Sequence, residues 1–186
     1  YAAEDSDITL RLWEKLRIEL IKNNLFDFYH FIEKPLVNVI ASMEKNGFKI
    51  NEHQLENLSI QFSDKLKNIE KKIYDISKEE FNVGSPKQLG EVLFEKLHLP
   101  HGKKGKSGNY QTDVKVLEKL KNEKIEIASL ILDWRQFSKL KNTYCEGLIS
   151  RKNKTTNRIH TSFGMASTLT GRLSSNDPNL QNIPIK

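Results

Sequence analysis

Cysteine is nearly absent. The 186 residues hold a single one, Cys145, so no internal disulfide can brace the fold, and the chain suits a reducing compartment. Its residue type and surroundings read as a small helix-packed side chain rather than a nucleophile. The five histidines, His30, His53, His98, His101 and His160, show no metal-ligand spacing with one another or with Cys145, which argues against a zinc site. No apolar run nears the ~20 residues of a membrane span. The opening YAAEDSD lacks the basic-then-apolar order of a signal peptide, so the expectation is a cytoplasmic protein without a membrane role. No GxSxG or other nucleophile motif occurs, and the chain by itself offers no complete catalytic set.

What is present describes a soluble domain with much exposed helix: 37% hydrophobic and 29% charged residues. The net charge of +6 is unevenly spread. Residues 1–100 carry 14 Lys/Arg against 17 Asp/Glu, whereas residues 101–186 carry 16 against 7. A charge that changes sign along the chain predicts that the second half faces a polyanion. The densest stretch, 135–160, holds Arg135, Lys139, Lys141, Arg151, Lys152, Lys154 and Arg158 against Glu146 alone. Solvated helix faces usually mix signs at i,i+4; here local acidic partners are missing, which favours phosphate contact.

Periodicity predicts a mainly α protein with a few short strands. Ile8, Leu12, Trp13, Leu16 and Leu20 lie at helical spacing within 2–22, and a second helix runs from about 26 to 45, with Pro35 as its candidate bend. Phe48-Lys49-Ile50 is a strand candidate. Asn51 then caps a long amphipathic helix to about Lys78, with Leu55, Leu58, Phe62, Leu66, Ile69, Ile73 and Ile76 as its stripe. Ser85-Pro86 opens a shorter helix to about Leu97, Thr112 caps another, and 124–149 forms a second long one. Two long helices separated by two short ones and the loop HGKKGKSGNY predict an antiparallel arm with a basic tip. RIHTSF, 158–163, alternates like a strand, and 170–186 reads as irregular.

Several clusters carry candidate chemistry. Lys103, Lys104 and Lys106 stand among Gly102, Gly105 and Gly108. The spacing is not that of a nucleotide phosphate loop, but mobile lysines can follow a nucleic-acid backbone without reading sequence; an ordinary solvated loop fits the same spacing. Arg135 and Lys139 share a helix face and can bridge successive phosphates, with Lys141 close behind. Trp134 and Tyr144 can stack bases, though core packing suits both better. Asp5 lies one turn after Tyr1, and Glu4 and Asp7 are three apart, an arrangement the helix dipole alone explains. The terminal stretch TGRLSSNDPNLQNIPIK is rich in donors. Arg172, Asn179 and Gln181 suit the minor groove, whose acceptors are common to A·T and T·A pairs. A loop whose amides cap its own backbone uses the same residues.

TGRLSSNDPNLQNIP resembles the segment TGRLSSxDPNLQNIP of family A DNA polymerases, the bacterial DNA polymerase I group. FxxIExPLVxVIxxMExNGxxI, FNxxSPKQLGEVLFEKL, RxxxKLKxTY and RIHTSF are similar to the same family in the same order, so the resemblance covers essentially the whole chain. It implies a thumb of long antiparallel helices joined to an incomplete palm. Residues 1–24 would be the C-terminal helix of a 3′–5′ exonuclease domain, 25–50 a palm-base helix and strand, 51–150 the thumb, and 151–186 the start of the palm with its primer–template binding motif.

The resemblance further implies a template-directed DNA polymerase of replication and repair, using Mg2+ and deoxynucleoside triphosphates, cytoplasmic and monomeric when full-length. Arg172 would contact the minor groove at the primer terminus, with Asn179 and Gln181 near the templating position and Arg135 and Lys139 on the thumb. YAAED is similar to a YxxxD exonuclease element in which Tyr1 orients the attacking water and Asp5 binds metal together with carboxylates found earlier in the family. The family's polymerase aspartates and nucleotide-holding helix come later. The expectation is therefore a middle piece that grips primer–template DNA, holds no cofactor and does no chemistry alone, with apolar surface exposed where the rest would pack. Met165 stands where the family often has Gln, so the resemblance carries over no template contact through that amide. A stand-alone duplex-binding module, a helical scaffold without DNA affinity and an exonuclease-only parent are the alternatives.

Overall fold

A computed structural model describes residues 2–105 and 108–184. The chain divides into two compact units, one made of Tyr1–Lys49 with Asn153–Asn182, the other of Ile50–Lys152 with Ile183–Lys186.

The first unit opens with helix α1, Ala2–Lys22, carrying Glu4 and Asp5 in its first turn and Lys22 in its last, the placement a helix dipole favours. None of its residues is buried. Helix α2 spans 26–46, made of Phe26–Phe28, a π-type turn Tyr29–Glu33, and Lys34–Asn46. The expected disturbance at Pro35 takes the form of that widened turn. Proline has no N–H and its ring crowds the carbonyl four residues back, and a π-type turn absorbs the mismatch while the helix continues. Trp13 packs on Tyr29, with ring centroids 5.6 Å apart.

Gly47 ends α2 at φ 59° and ψ −168°. Phe48 then pairs with Ile159 through two backbone hydrogen bonds, 3.0 and 2.9 Å. The strand expected at 48–50 is thus reduced to one bridging residue, because Asn51 is already committed to capping the next helix. The strand expected at 158–163 is also displaced. Ile159 pairs with Phe48, and the chain then changes partner, forming β1, Ser162–Gly164, against β2, Ser174–Asn176, antiparallel with Phe163 opposite Ser175. His160 and Thr161, at the crossover, use side-chain hydrogen bonds instead. The His160 ring lies 2.8 Å from Glu44 O through Nδ1 and 2.8 Å from Thr156 Oγ1 through Nε2.

The second unit is built on α3, Glu52–Ser77, whose 26 residues span about 39 Å at the usual rise. Asn51 caps it as expected, accepting from Gln54 N at 3.2 Å. Helix α4 covers 86–96, in two segments, Pro86–Gly90 and Glu91–Lys96, entered through Ser85, which accepts from Gln88 N. Helix α5 is Val114–Asn122. Its cap is not Thr112 but Asp113, whose Oδ1 accepts from Val116 N at 3.0 Å. Thr112 is buried with its polar atoms bound to Arg135, so the cap falls to the carboxylate, which the dipole favours.

Helix α6 spans 126–150 as Glu126–Lys139, a π-type stretch Leu140–Glu146 and Gly147–Ser150. It runs antiparallel to α3, as the pairings show: Lys152 with Glu52, Ser59 with Glu146, Phe62 with Phe137, and Glu70 with Trp134. The core of Ile73, Leu89, Leu93, Leu117, Leu120, Ile127 and Ile131 lies where α4 and α5 close over the far end of this pair. Trp134 and Tyr144 join the packing, as expected; Trp134 rests on the core and donates to Glu70 Oε1 at 2.8 Å. Cys145 is buried, and burial, with Glu146 adding to it, pushes its thiol pKa up. It behaves as the inert core residue anticipated.

Candidate nucleic-acid interface

Arg135 and Lys139 lie on one face of α6, yet the structure treats them differently. Arg135 is half-buried, and its guanidinium forks onto Thr112, one arm to the carbonyl and the other 3.2 Å from Oγ1. Burial lowers its pKa, with Asp113 opposing the shift. It is therefore a tie between α6 and the start of α5 as well as a cation. Lys139 is exposed and has no side-chain partner among the described residues. Lys141 pairs with Glu146 at 3.2 Å.

Contrary to the expectation from sequence, most cations of 135–160 have partners. Lys141 and Lys152 meet carboxylates, and Arg151 and Arg158 reach the backbone carbonyls of Gly147 and Gly47. Those partners come from the facing helix, from a π-type turn or from backbone, which i,i+4 counting on one helix does not survey. Lys139 and Lys154 are the members of that set left without a partner among the described residues.

The basic loop closes on itself. Lys104 bridges Tyr110 in the backbone, its ammonium stands 4.7 Å from the Tyr110 ring centroid, and Glu95 lies 3.5 Å away. Lys103 is exposed, its carbonyl accepting from Gln111 N at 2.9 Å. Lys106 lies outside the described residues.

In the first unit, Arg172 is exposed beside Gly171, whose φ is +73°, and its guanidinium has no partner among the described residues. Its carbonyl accepts from Thr168 Oγ1 at 2.8 Å, which anchors the turn from behind. The amides behave as loop caps. Gln181 Nε2 donates to Leu173 O, and Asn179 Oδ1 accepts from Gln181 N at 3.0 Å. Gln181 thus spends part of its donor capacity within the loop, while the Asn179 amide N–H groups have no acceptor among the described residues.

Asp5 lies exposed in the first turn of α1, and Tyr1 is outside the described residues. Among the described residues no group of three or more His, Cys, Asp or Glu is placed to hold a metal ion, so Asp5 alone does not make a metal centre. No helix among them is long and apolar enough to cross a membrane. Sequence reasoning missed two internal devices: Glu44, whose carboxylate accepts from Phe163 N at 2.7 Å, and the buried hydroxyls of Thr161 and Ser175. None has a periodic signal, and the Glu44–Phe163 and Thr161–Ser175 contacts each span more than ten residues of chain.

The described residues make a mainly helical protein with an antiparallel helical pair in one unit and a short two-stranded hairpin in the other. Residues 52–186 match the model of DNA polymerase family A, and the chain belongs to that family. It is 46% identical over its full length to DNA polymerase I of Rhizobium leguminosarum, covering 18% of that protein. It is 49% identical over 177 residues to DNA polymerase I of Caldicellulosiruptor bescii, covering 95% of this chain and 20% of that protein. The chain thus spans about a fifth of the length of these curated relatives. Among solved structures it resembles the POL domain of Pol1 from M. smegmatis, in complex with DNA primer-template and dNTP, at a TM-score of 0.81 and 35% identity, over 95% of this chain and 31% of that one.

Proposed function

We propose that this chain is the duplex-gripping portion of a template-directed DNA polymerase of replication and repair. Residues 51–150 serve as the thumb, 1–24 as the end of a 3′–5′ exonuclease domain, 25–50 as a palm base, and 151–186 as the start of the palm. The observation that supports this most is the likeness to a polymerase domain solved with primer-template DNA. Lys139 and Lys103 are the phosphate contacts with the freest ammonium groups, assisted by Lys104, Lys106, Lys141 and Arg135. Arg172 is the principal minor-groove donor, and Asn179 and Gln181 line its approach. A free guanidinium suits this task because it donates to the acceptors common to all pairs without choosing among sequences.

In the longer, monomeric cytoplasmic protein, Mg2+ would assist phosphoryl transfer from deoxynucleoside triphosphates. Among the described residues no group of three or more His, Cys, Asp or Glu is placed to hold that ion; the part proposed for this chain is to bind and orient DNA. The test is fluorescence anisotropy of a labelled primer–template duplex across a chloride series. Affinity is expected to fall steeply with salt, and Lys139→Ala to reduce the logarithmic salt slope by about one while weakening all sequences alike. Arg172→Ala is expected to weaken binding by ~1–3 kcal/mol. A folded, monodisperse sample without duplex affinity at low salt would favour the scaffold reading. Nucleotide incorporation by the 186-residue chain would refute its assignment to binding alone.

A further inference from the structure

Two hydroxyls of the first unit are the most deeply buried polar side chains among the described residues: Thr161 is 5% and Ser175 1% exposed. A buried hydroxyl is unfavourable unless its hydrogen-bonding capacity is used. Thr161 Oγ1 lies 2.8 Å from Ser175 Oγ, 2.9 Å from Asn176 O and 2.8 Å from Pro178 O. Ser175 Oγ lies 3.1 Å from Pro178 O and accepts from Leu180 N at 3.2 Å.

Two hydroxyls bring two protons, and one assignment serves both carbonyls and the amide. Ser175 donates to Thr161 Oγ1, Thr161 shares its proton between Asn176 O and Pro178 O, and Leu180 N–H donates to Ser175 Oγ. The knot therefore fastens the chain leaving β2 to the residue preceding β1. The fastened turn carries Asn179 and leads into Gln181, whose amide in turn holds Leu173 O next to Arg172.

We infer that Thr161 and Ser175 are positioning residues, whose paired hydroxyls hold the 176–180 turn in the form that presents Asn179 and Arg172 to a duplex minor groove. This rests on the DNA-binding reading proposed above. A turn held in its bound form before DNA arrives loses less freedom on binding, so its affinity is higher for the same contacts.

The test compares Thr161→Val, Ser175→Ala and Thr161→Ser in the 186-residue chain, reading amide exchange at Leu180 and Gln181 together with duplex Kd. Thr161→Val and Ser175→Ala are expected to speed exchange at these amides by about tenfold or more, without changing α3, and to weaken duplex binding about tenfold. Thr161→Ser keeps the hydroxyl and is expected to retain wild-type values in both. In an Arg172→Ala background the affinity loss from Thr161→Val should shrink, since the two act on one contact.

Unchanged exchange, or faster exchange with unchanged Kd, overturns the inference. So does loss of protection throughout the chain in Thr161→Val if Thr161→Ser also binds poorly, since the hydroxyls would then be ordinary core groups. A wild-type chain that binds no duplex overturns the DNA reading and this role with it. That failure is recognisable, because the exchange comparison still reports whether the knot holds the turn.

Discussion

Gly47 shows how much one residue decides. Its φ of +59° and ψ of −168° lie in a region open essentially to glycine alone, and a Cβ there would stand 2.5 Å from Ile159 O and 2.8 Å from His160 Nδ1. Backbone at Ile159 cannot yield without breaking its bridge to Phe48, and the His160 ring is held at both nitrogens. Gly47→Ala is therefore expected to cost about 3 kcal/mol, from backbone strain and the close contact together. Chemical denaturation followed by circular dichroism measures this, and a loss under about 0.5 kcal/mol would contradict it. Arg135 carries a different lesson at the same scale. A planar fork that meets both the carbonyl and the hydroxyl of Thr112 is not replaceable by lysine, so a variant at this position changes α5 as well as any phosphate contact.

Between elements, polar ties add to the packing of Tyr144, Cys145 and Leu148 at the open end of the α3–α6 pair. Glu146 accepts from Ser59 Oγ at 2.9 Å and meets Lys141 at 3.2 Å. The Ser59 hydrogen bond, and after it Lys141, hold the Glu146 carboxyl below the usual glutamate range. A group with a depressed folded pKa contributes stability that is present above the unfolded value and lost as pH falls through the folded one. The stability difference between wild type and Glu146→Gln is thus expected to be constant from neutral pH down to the ordinary glutamate range and to vanish below the depressed value. Thermal melts across an acid series give the comparison. A difference that grew as pH fell would contradict the assignment. Because the carboxylate is largely exposed, its contribution is small beside that of the core at the other end.

For the molecule as a whole, apolar surface and charge respond to salt in opposite directions. In the first unit α1 buries no residue, and Ile8, Leu12, Leu16, Ile32 and Val39 are exposed, with Phe31 at 71%. Exposed apolar side chains in this number drive association, which screening of charge does not oppose. Duplex binding depends on displaced counterions and weakens as salt rises. Raising chloride should therefore lower DNA affinity while leaving self-association of the free chain unchanged or stronger. Sedimentation velocity beside anisotropy distinguishes the two; association that disappeared in salt would point to the charge asymmetry of the two halves as its cause.

Helix existence and type were legible in the sequence because apolar spacing and caps act within a few residues: the stripe from Leu55 to Ile76 and the Asn51 cap need no distant partner. The family was legible too, since TGRLSSNDPNLQNIP is a contiguous match, and the lone cysteine and the sign change of charge are plain counts. Tertiary structure alone decided which cations remain free. Lys141, Lys152, Arg151, Arg158 and Arg135 are taken by a π-type turn, a facing helix, backbone carbonyls and Thr112, whereas Lys139 and Arg172 have no side-chain partner among the described residues. It likewise moved the strand from 158–163 to Ser162–Gly164 and joined Thr161 to Ser175. The physical reason is one of range. Propensity and capping are local, but a hydrogen bond or ion pair is settled by whichever group the fold brings within about 3 Å, and separation along the chain does not predict that.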